Sequence, residues 1–527
     1  MGQTHGKETV EEKPTARPSI KSNFKPKKHL TRVEIVSLQH TFKQLQSTFP
    51  DGFSCVEAKK FLEHLNFPQQ VEPAAVLLFK SFSYLGSYPN CTVAGPVPLS
   101  FDAFITAFVV LVGRLDNEIP GCILSESLFF QSLSILPIPE EKAAIVEPPK
   151  ETHADRSSKG LSLAELGVDF SDLDFNPKPD EDDKDDGSKI LCRDLVELFV
   201  LLLWLGEADQ PSHDFKRIRQ MAVNIVNTIK PSSLEDEELP CISNCLLRQW
   251  KDAFSPHLFK PLQSLITKSF TYHNSDESRL LPPDKVPIVD DSDILTPLYS
   301  TLISWALPET ILITKQWTRL YSADRDGFSM NRFESHVFKY PGPTLLVMQV
   351  SNKERSMTLG AFITQPWKQS KHFWGSSECF LFELDPQFDI FRSTGINKTE
   401  NYIYYHHDFG IGFGSNENHP TPNGFILYLQ NTLQEGLYQN EAYPSQPTFE
   451  SATKSRRHLN FTCPFDTENI EVFGLGNEKD RERQAREWKF DQQEAERRNG
   501  LNIRQADGNL DKELLKMAGI IDERQER

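Results

Sequence analysis

The apolar positions of this chain change period near residue 310. Before that point they recur at spacings of three and four, which gives helices with one buried face. Thr31 and Glu34 have capping-box spacing, and Ile35, Leu38, Phe42, Leu45 and Phe49 follow on one face. Asp51-Gly52 stops that helix, Ser54 and Glu57 suggest a second capping box, and Phe61, Leu62 and Leu65 give the next helix its stripe. Further helices are expected from Pro73 and from near Ser100, the latter with Phe101, Phe104, Ile105, Phe108, Val109 and Val112 on one face. Helical patterning resumes at Ile190 and continues through 221–229, 241–254, 258–270 and 294–302. After 310 the runs shorten and Gly and Pro punctuate them, so 344–350, 358–363, 379–384, 425–429 and 470–473 read as strands buried in a packed two-layer β structure.

Two segments lack the apolar surface that offsets the entropy of ordering. Residues 1–29 carry Lys7, Lys13, Arg17, Lys21, Lys25, Lys27 and Lys28 among prolines and polar residues, and read as a flexible basic arm. The arm opens with the Gly2 that N-myristoylation requires, although Gly6 stands where that motif prefers Ser or Thr. An acyl chain beside a polybasic stretch suffices for peripheral membrane anchoring. Residues 137–189 are Pro-rich and acidic, ending in DEDDKDDG at 180–187, and read as a self-repelling linker. At the other end, 478–498 are helix formers throughout, with Trp488 and Phe490 as the only large apolar groups. Leu514, Leu515, Met517, Ile520 and Ile521 form a last apolar group, available to the body or to a partner. The expected divisions are the arm 1–29, a helical domain 30–136, the linker 137–189, a helical region 190–288, a β-rich domain 289–476 and a charged helix and tail 477–527.

The helix, Asp-Gly loop, helix rhythm after residue 30 resembles a degenerate EF-hand pair. A working calcium loop needs oxygen ligands at positions 3 and 5 and a bidentate Glu at 12, where counting from Asp51 gives Phe53, Cys55 and Leu62. Calcium binding is therefore not expected.

Composition narrows the function classes. Fifty-seven basic against 74 acidic residues leave a net charge of −17, so phosphate backbones are repelled and direct nucleic-acid binding is not expected. The eight cysteines form no C-x-x-C pair and follow no signal peptide, which fits a reducing cytosol. The most apolar run, 195–205, contains Glu197 and is about half the roughly 20 residues a membrane span needs, so it reads as a core helix.

Candidate catalytic chemistry is thin. Gly410, Gly412 and Gly414 are spaced like a phosphate loop but lack G-K-[ST] and precede a polar stretch rather than a helix, so close approach of backbones in a sheet explains them better. His406, His407 and Asp408 would alternate faces on a strand, which disfavours a shared metal. Neither H-E-x-x-H nor G-x-S-x-G occurs. Cys379 borders an apolar strand and Cys463 precedes Pro464, neither with a cation beside it in sequence of the kind that activates a thiolate.

The landmarks WTRLYS (317–322), DGFS (326–329), GPTLLV (342–347), GAF (360–362), Trp367, Trp374-Gly375, FLFEL (380–384), Asn401-Tyr402, GIGFG (410–414), LYL (427–429) and IEVFG (470–474) stand in the order of a TLDc domain. By this ordered set the chain resembles the TLDc family. Its Met-Gly start, acidic linker and polar C-terminal helix are similar to the family's fungal telomere-capping-restriction subgroup. Phe473 departs from the Trp many TLDc proteins carry in the closing motif. The resemblance implies an α+β fold: a two-layer β-sandwich with flanking helices, preceded by the helical EF-hand-like region. It also implies a non-catalytic, cofactor-free monomer in the cytoplasm or on the vacuolar membrane, whose partner is the vacuolar proton-translocating ATPase. An indirect effect on telomere capping is the alternative, and an oxidative-stress enzyme, suggested by the family's association with oxidant resistance, the third. Within that frame the 478–498 helix is a second partner contact, through Trp488, Phe490, Arg486 and the uncharged Gln484.

Overall fold

The computed structural model describes residues 24–48, 52–91, 95–115, 124–134, 188–207, 213–230, 240–271, 287–314, 316–353, 355–395, 401–442 and 447–505. Gly2, the acidic tract and the apolar group at 514–521 lie outside them. The chain forms two compact units, one of Met1–Ser134 with Leu262–Leu281 and one of Ile135–Pro261 with Pro282–Arg527.

The first unit is helical. Thr31 caps helix Arg32–Leu45 through the expected box, with Glu34 returning a bond to the Thr31 N–H at 2.7 Å. Short antiparallel strands β1 (Gln46–Thr48) and β2 (Ser54–Val56) lead into helix Ala58–Leu65, which ends on Asn66 at φ 48°. Helices Glu72–Leu85, Phe101–Leu111 and Leu124–Leu133 complete the N-terminal contribution. Their aromatic core closes on Phe270, whose ring lies 5.4–5.5 Å from those of Phe61, Phe82 and Phe104. The Thr41 hydroxyl donates to the Phe270 carbonyl at 3.0 Å. The helical region expected over 190–288 is thus shared between the units, because periodicity cannot say which core a helix face joins. The basic arm is likewise shorter than 1–29: Pro26–His29 forms a 3-10 turn, Phe24 packs edge-on to Tyr88 at 4.9 Å, and Lys27 lies over Phe101.

In the second unit, strands β3 (Lys189–Leu191) and β4 (Cys241–Ser243) pair ahead of helices Cys192–Gly206 and Asn244–Phe254. Helix Cys192–Gly206 is buried almost all round from Leu198 to Leu205, packing beside helices Phe215–Ile229 and Pro297–Ala306. Among the described residues no helix is long and apolar enough to cross a membrane.

The rest of this unit is built on one curled antiparallel sheet, with helix Met330–Val337 and a C-terminal helix beside it. Its strands are β6 (Gln316–Ser322), β7 (Thr344–Ser351), β8 (Ser356–Ile363), β9 (Phe380–Asp385), β10 (Asp389–Ser393), β11 (Ile403–His406), β12 (Gly410–Ser415), β13 (Phe425–Gln430), β14 (Glu435–Asn440), β15 (Phe449–Ser451) and β16 (Phe461–Gly474), with a parallel β5 (Ile288–Val289) beside β6. The order is β11-β12-β13-β14-β16-β7-β8-β9-β10-β15, and β6 also pairs with the end of β16. Long β16 is the spine: β14 flanks its first half, and β7 and β6 flank its second. The sheet curls until its edges meet, where Thr448 Oγ1 donates to the Ser415 carbonyl at 2.5 Å and the Phe449 ring packs, tilted, 5.7 Å from that of Tyr402. Two halves of one curled sheet thereby act as the two layers of the expected sandwich. Between them lies one core containing Leu346, Met348, Leu359, Trp367, Phe413, Leu427 and Val472.

The glycine run is a strand of this sheet. A Cβ on Gly410, held at φ 110°, would stand 2.2 Å from the Leu429 carbonyl oxygen, and one on Gly412 would overlap the Phe425 ring. Each glycine is required by close approach of a neighbour across the sheet.

Candidate interaction surface

The most concentrated ionic chemistry is sealed inside the sheet. Arg456, from the 3-10 turn Arg456–His458, donates to Glu383 at 2.8 Å, to Asp389 at 3.1 Å and to the Tyr438 hydroxyl at 3.0 Å. Tyr438 donates to Glu383 at 2.9 Å and Ser451 to Asp389 at 2.6 Å. Glu383 and Asp389 are fully buried. Burial pushes the Asp389 carboxyl up, opposed by the guanidinium, and pushes the Tyr438 phenol well above its ordinary value. For Arg456 burial works against the charge, but Tyr438, Glu383 and Asp389 outweigh it and hold the guanidinium more firmly protonated. The cluster ties β9, β10, β14 and β15 together and has no exposed carboxylate to offer a substrate. Nothing in the sequence pointed to it, since its members are spread over up to 73 positions.

A second buried carboxylate, Glu471 on β16, accepts from Ser292 Oγ at 2.5 Å and from the Asp293 N–H at 2.9 Å, fixing the segment that leads into helix Pro297–Ala306. It is the Glu of the closing IEVFG landmark, and its role is structural.

A cleft of about 620 Å³ opens where β16 runs past the β7–β8 hairpin. Its lining includes Lys353, Arg355, Glu435, Asp466 and Cys463, and Asn352 Nδ2 donates to Cys463 Sγ at 3.0 Å. Along the chain Cys463 has no cationic neighbour; the hairpin supplies Lys353 and Arg355 to the same cleft. Cys379 is closed off, its sulfur 3.5 Å from Thr364 Oγ1. The His406–Asp408 stretch diverges: His407 faces Glu334 at 3.4 Å, while His406 Nδ1 accepts from the Asp408 N–H.

The C-terminal helix Glu478–Gln505 is fastened at its base. Gly476 N–H donates to the buried Tyr340 hydroxyl at 2.6 Å. Asn477 Oδ1 accepts from the Lys479 and Asp480 N–H groups, and Asp480 returns a bond to the Asn477 N–H at 3.0 Å, a reciprocal cap. One turn on, Gln484 is buried and its Nε2 donates to the His336 carbonyl at 3.3 Å. The Trp488 indole then lies 5.8 Å from the His336 ring, whose Nδ1 is 3.4 Å from Asp326. The four residues singled out on this helix therefore divide. Gln484 belongs to the body, Trp488 is 36% exposed against His336, and Phe490, 63% exposed, and Arg486 face solvent.

Residues 288–476 match the TLDc domain family. Over nearly its whole length the chain is similar to proteins named Restriction of telomere capping protein 5. It is 25% identical to the one from Pyricularia oryzae, covering 93% of this chain and 94% of that protein. Identity to the protein of that name from Saccharomyces cerevisiae strain S288c is 24%, covering 76% of each chain. The Neurospora crassa protein is 22% identical over 95% of this chain and 94% of its own length.

Proposed function

From a chain whose residues 288–476 form a TLDc domain, we propose a non-catalytic regulator that binds the cytosolic part of the vacuolar proton-translocating ATPase and alters its assembly or activity. The observation that carries this reading is the C-terminal helix, anchored at Tyr340 and His336 and presenting Arg486 and Phe490 to solvent. A body whose densest ionic cluster is sealed in its core works through its surface. The pump as partner comes from the resemblance to TLDc proteins. In this reading the protein is cytoplasmic, and Gly2 and the basic arm hold it at the vacuolar membrane.

The names of the relatives favour a second reading, an effect on telomere capping. With a net charge of −17 that effect is indirect, through protein contacts rather than DNA.

Affinity purification of the tagged chain from vacuolar membranes and from nuclei, beside Gly2→Ala and a deletion from 477 to the end, separates the two. Proton-pump subunits recovered with the full chain and lost with the deletion support the first reading. Telomeric proteins recovered without pump subunits overturn it.

A further inference from the structure

The core of the first unit is closed by a turn of helix that arrives from far along the chain. Residues 135–261 belong to the second unit, and only then does Leu262–Leu281 rejoin the first. Helix Lys260–Thr271 buries Leu262, Leu265, Ile266 and Phe270, the spacing of an amphipathic helix seated by one face. Its end is held in two ways. The Phe270 ring is 1% exposed, lies 5.4–5.5 Å from the rings of Phe61, Phe82 and Phe104, and stacks on His64 at 5.5 Å. A helix leaves the carbonyls of its last turn without partners of its own, and here side chains of the first unit take two of them. Thr41 Oγ1 donates to the Phe270 carbonyl at 3.0 Å, and His64 Nε2 to the Ser269 carbonyl at 2.9 Å.

We propose that these side chains form a receptor for the C-terminal turn of an amphipathic helix, with Phe270 as its resident plug. The ligand that replaces the plug is a helix of a partner protein with the same apolar spacing and a Phe in its last turn. The contacts at this end read an aromatic ring and main-chain carbonyls, both of which a foreign helix can supply. The resident turn competes at the roughly millimolar effective concentration of a tethered ligand, so a partner gains entry where the plug is weakened. The receptor lies outside residues 288–476 and does not depend on the proton pump being the partner.

The test uses the full chain as wild type, Phe270→Ala and Phe270→Leu, the last keeping an apolar plug should the alanine chain fail to fold; circular dichroism checks each. The probe is a labelled peptide of the 260–271 sequence, beside the same peptide with alanine at position 270. Both variants are expected to bind the Phe peptide at least about tenfold tighter than the wild type does, to melt at a higher temperature in its presence, and to ignore the alanine peptide. Failure of both variants to bind, equal affinity for the two peptides, or equal affinity of wild type and variants overturns the proposal. Light scattering tests the other source of a plug. A wild type that is dimeric, and becomes monomeric once Phe270 is replaced, would mean that copies of this chain exchange the turn, and would overturn a partner helix as the ligand.

Discussion

Replacing Arg456 with leucine tests how the sheet holds its buried charges. The guanidinium bridges two fully buried carboxylates, Glu383 at 2.8 Å and Asp389 at 3.1 Å. Removing it strands negative charge in the core, and breaking a buried pair from one side costs about 3–5 kcal/mol. Part of that cost depends on protonation. Without Arg456, burial and the neighbouring Glu383 charge raise the Asp389 carboxyl in the folded state above its unfolded value, so the folded variant binds more protons than the unfolded chain. A group raised in this way gives most stability below its unfolded value and loses it as pH rises through the folded one. The variant should therefore lose about 3–5 kcal/mol at pH 7.5, and a penalty smaller by about 1–2 kcal/mol should remain near pH 5. Urea unfolding of both proteins at the two pH values, followed by tryptophan fluorescence, measures the difference. A deficit below about 1 kcal/mol at pH 7.5, or one that grows on acidification, would refute the reasoning.

Three further outcomes follow from the packing. Phe270→Ala should cost about 3–5 kcal/mol by emptying the space among Phe61, Phe82 and Phe104, read as an earlier urea transition; an unchanged transition would remove 262–271 from the first core. Gly410→Ala should cost about 3 kcal/mol, seen as a lowered melting temperature, because the new methyl meets the Leu429 carbonyl at a positive φ. His257 is lowered to about 4, chiefly by burial and secondarily by Lys260. Its neutral form is favoured by folding, so stability is complete above the unfolded value near 6.5 and falls as pH drops towards 4. Discounted for partial exposure, the loss is on the order of 2 kcal/mol and should be missing in His257→Gln.

Periodicity by itself determined the first-unit helices that begin at Arg32, Ala58, Glu72 and Phe101, the capping box at Thr31 and Glu34, and the buried strands β7, β8, β9 and β13, but not helix Leu124–Leu133, and the box expected at Ser54 and Glu57 is absent because Ser54 lies in β2. Those signals are local: a side chain three, four or two positions away decides them. The ordered landmarks likewise mark the TLDc domain by themselves. Only the tertiary structure decided the rest. The strands β10, β11, β14 and β15 are short and become strands because neighbours in the curled sheet take up their hydrogen bonds. Phe270 reads as one more apolar position in a helix, yet its destination is a core built from residues more than 160 positions earlier, a long-range choice no local period encodes. Arg456, Glu383, Asp389 and Tyr438 read as separate polar residues until the sheet rolls up and brings them into hydrogen-bonding contact. On the C-terminal helix the residue types were plain from the start, but which face looks outward was fixed by Tyr340 and His336, against which the helix base packs.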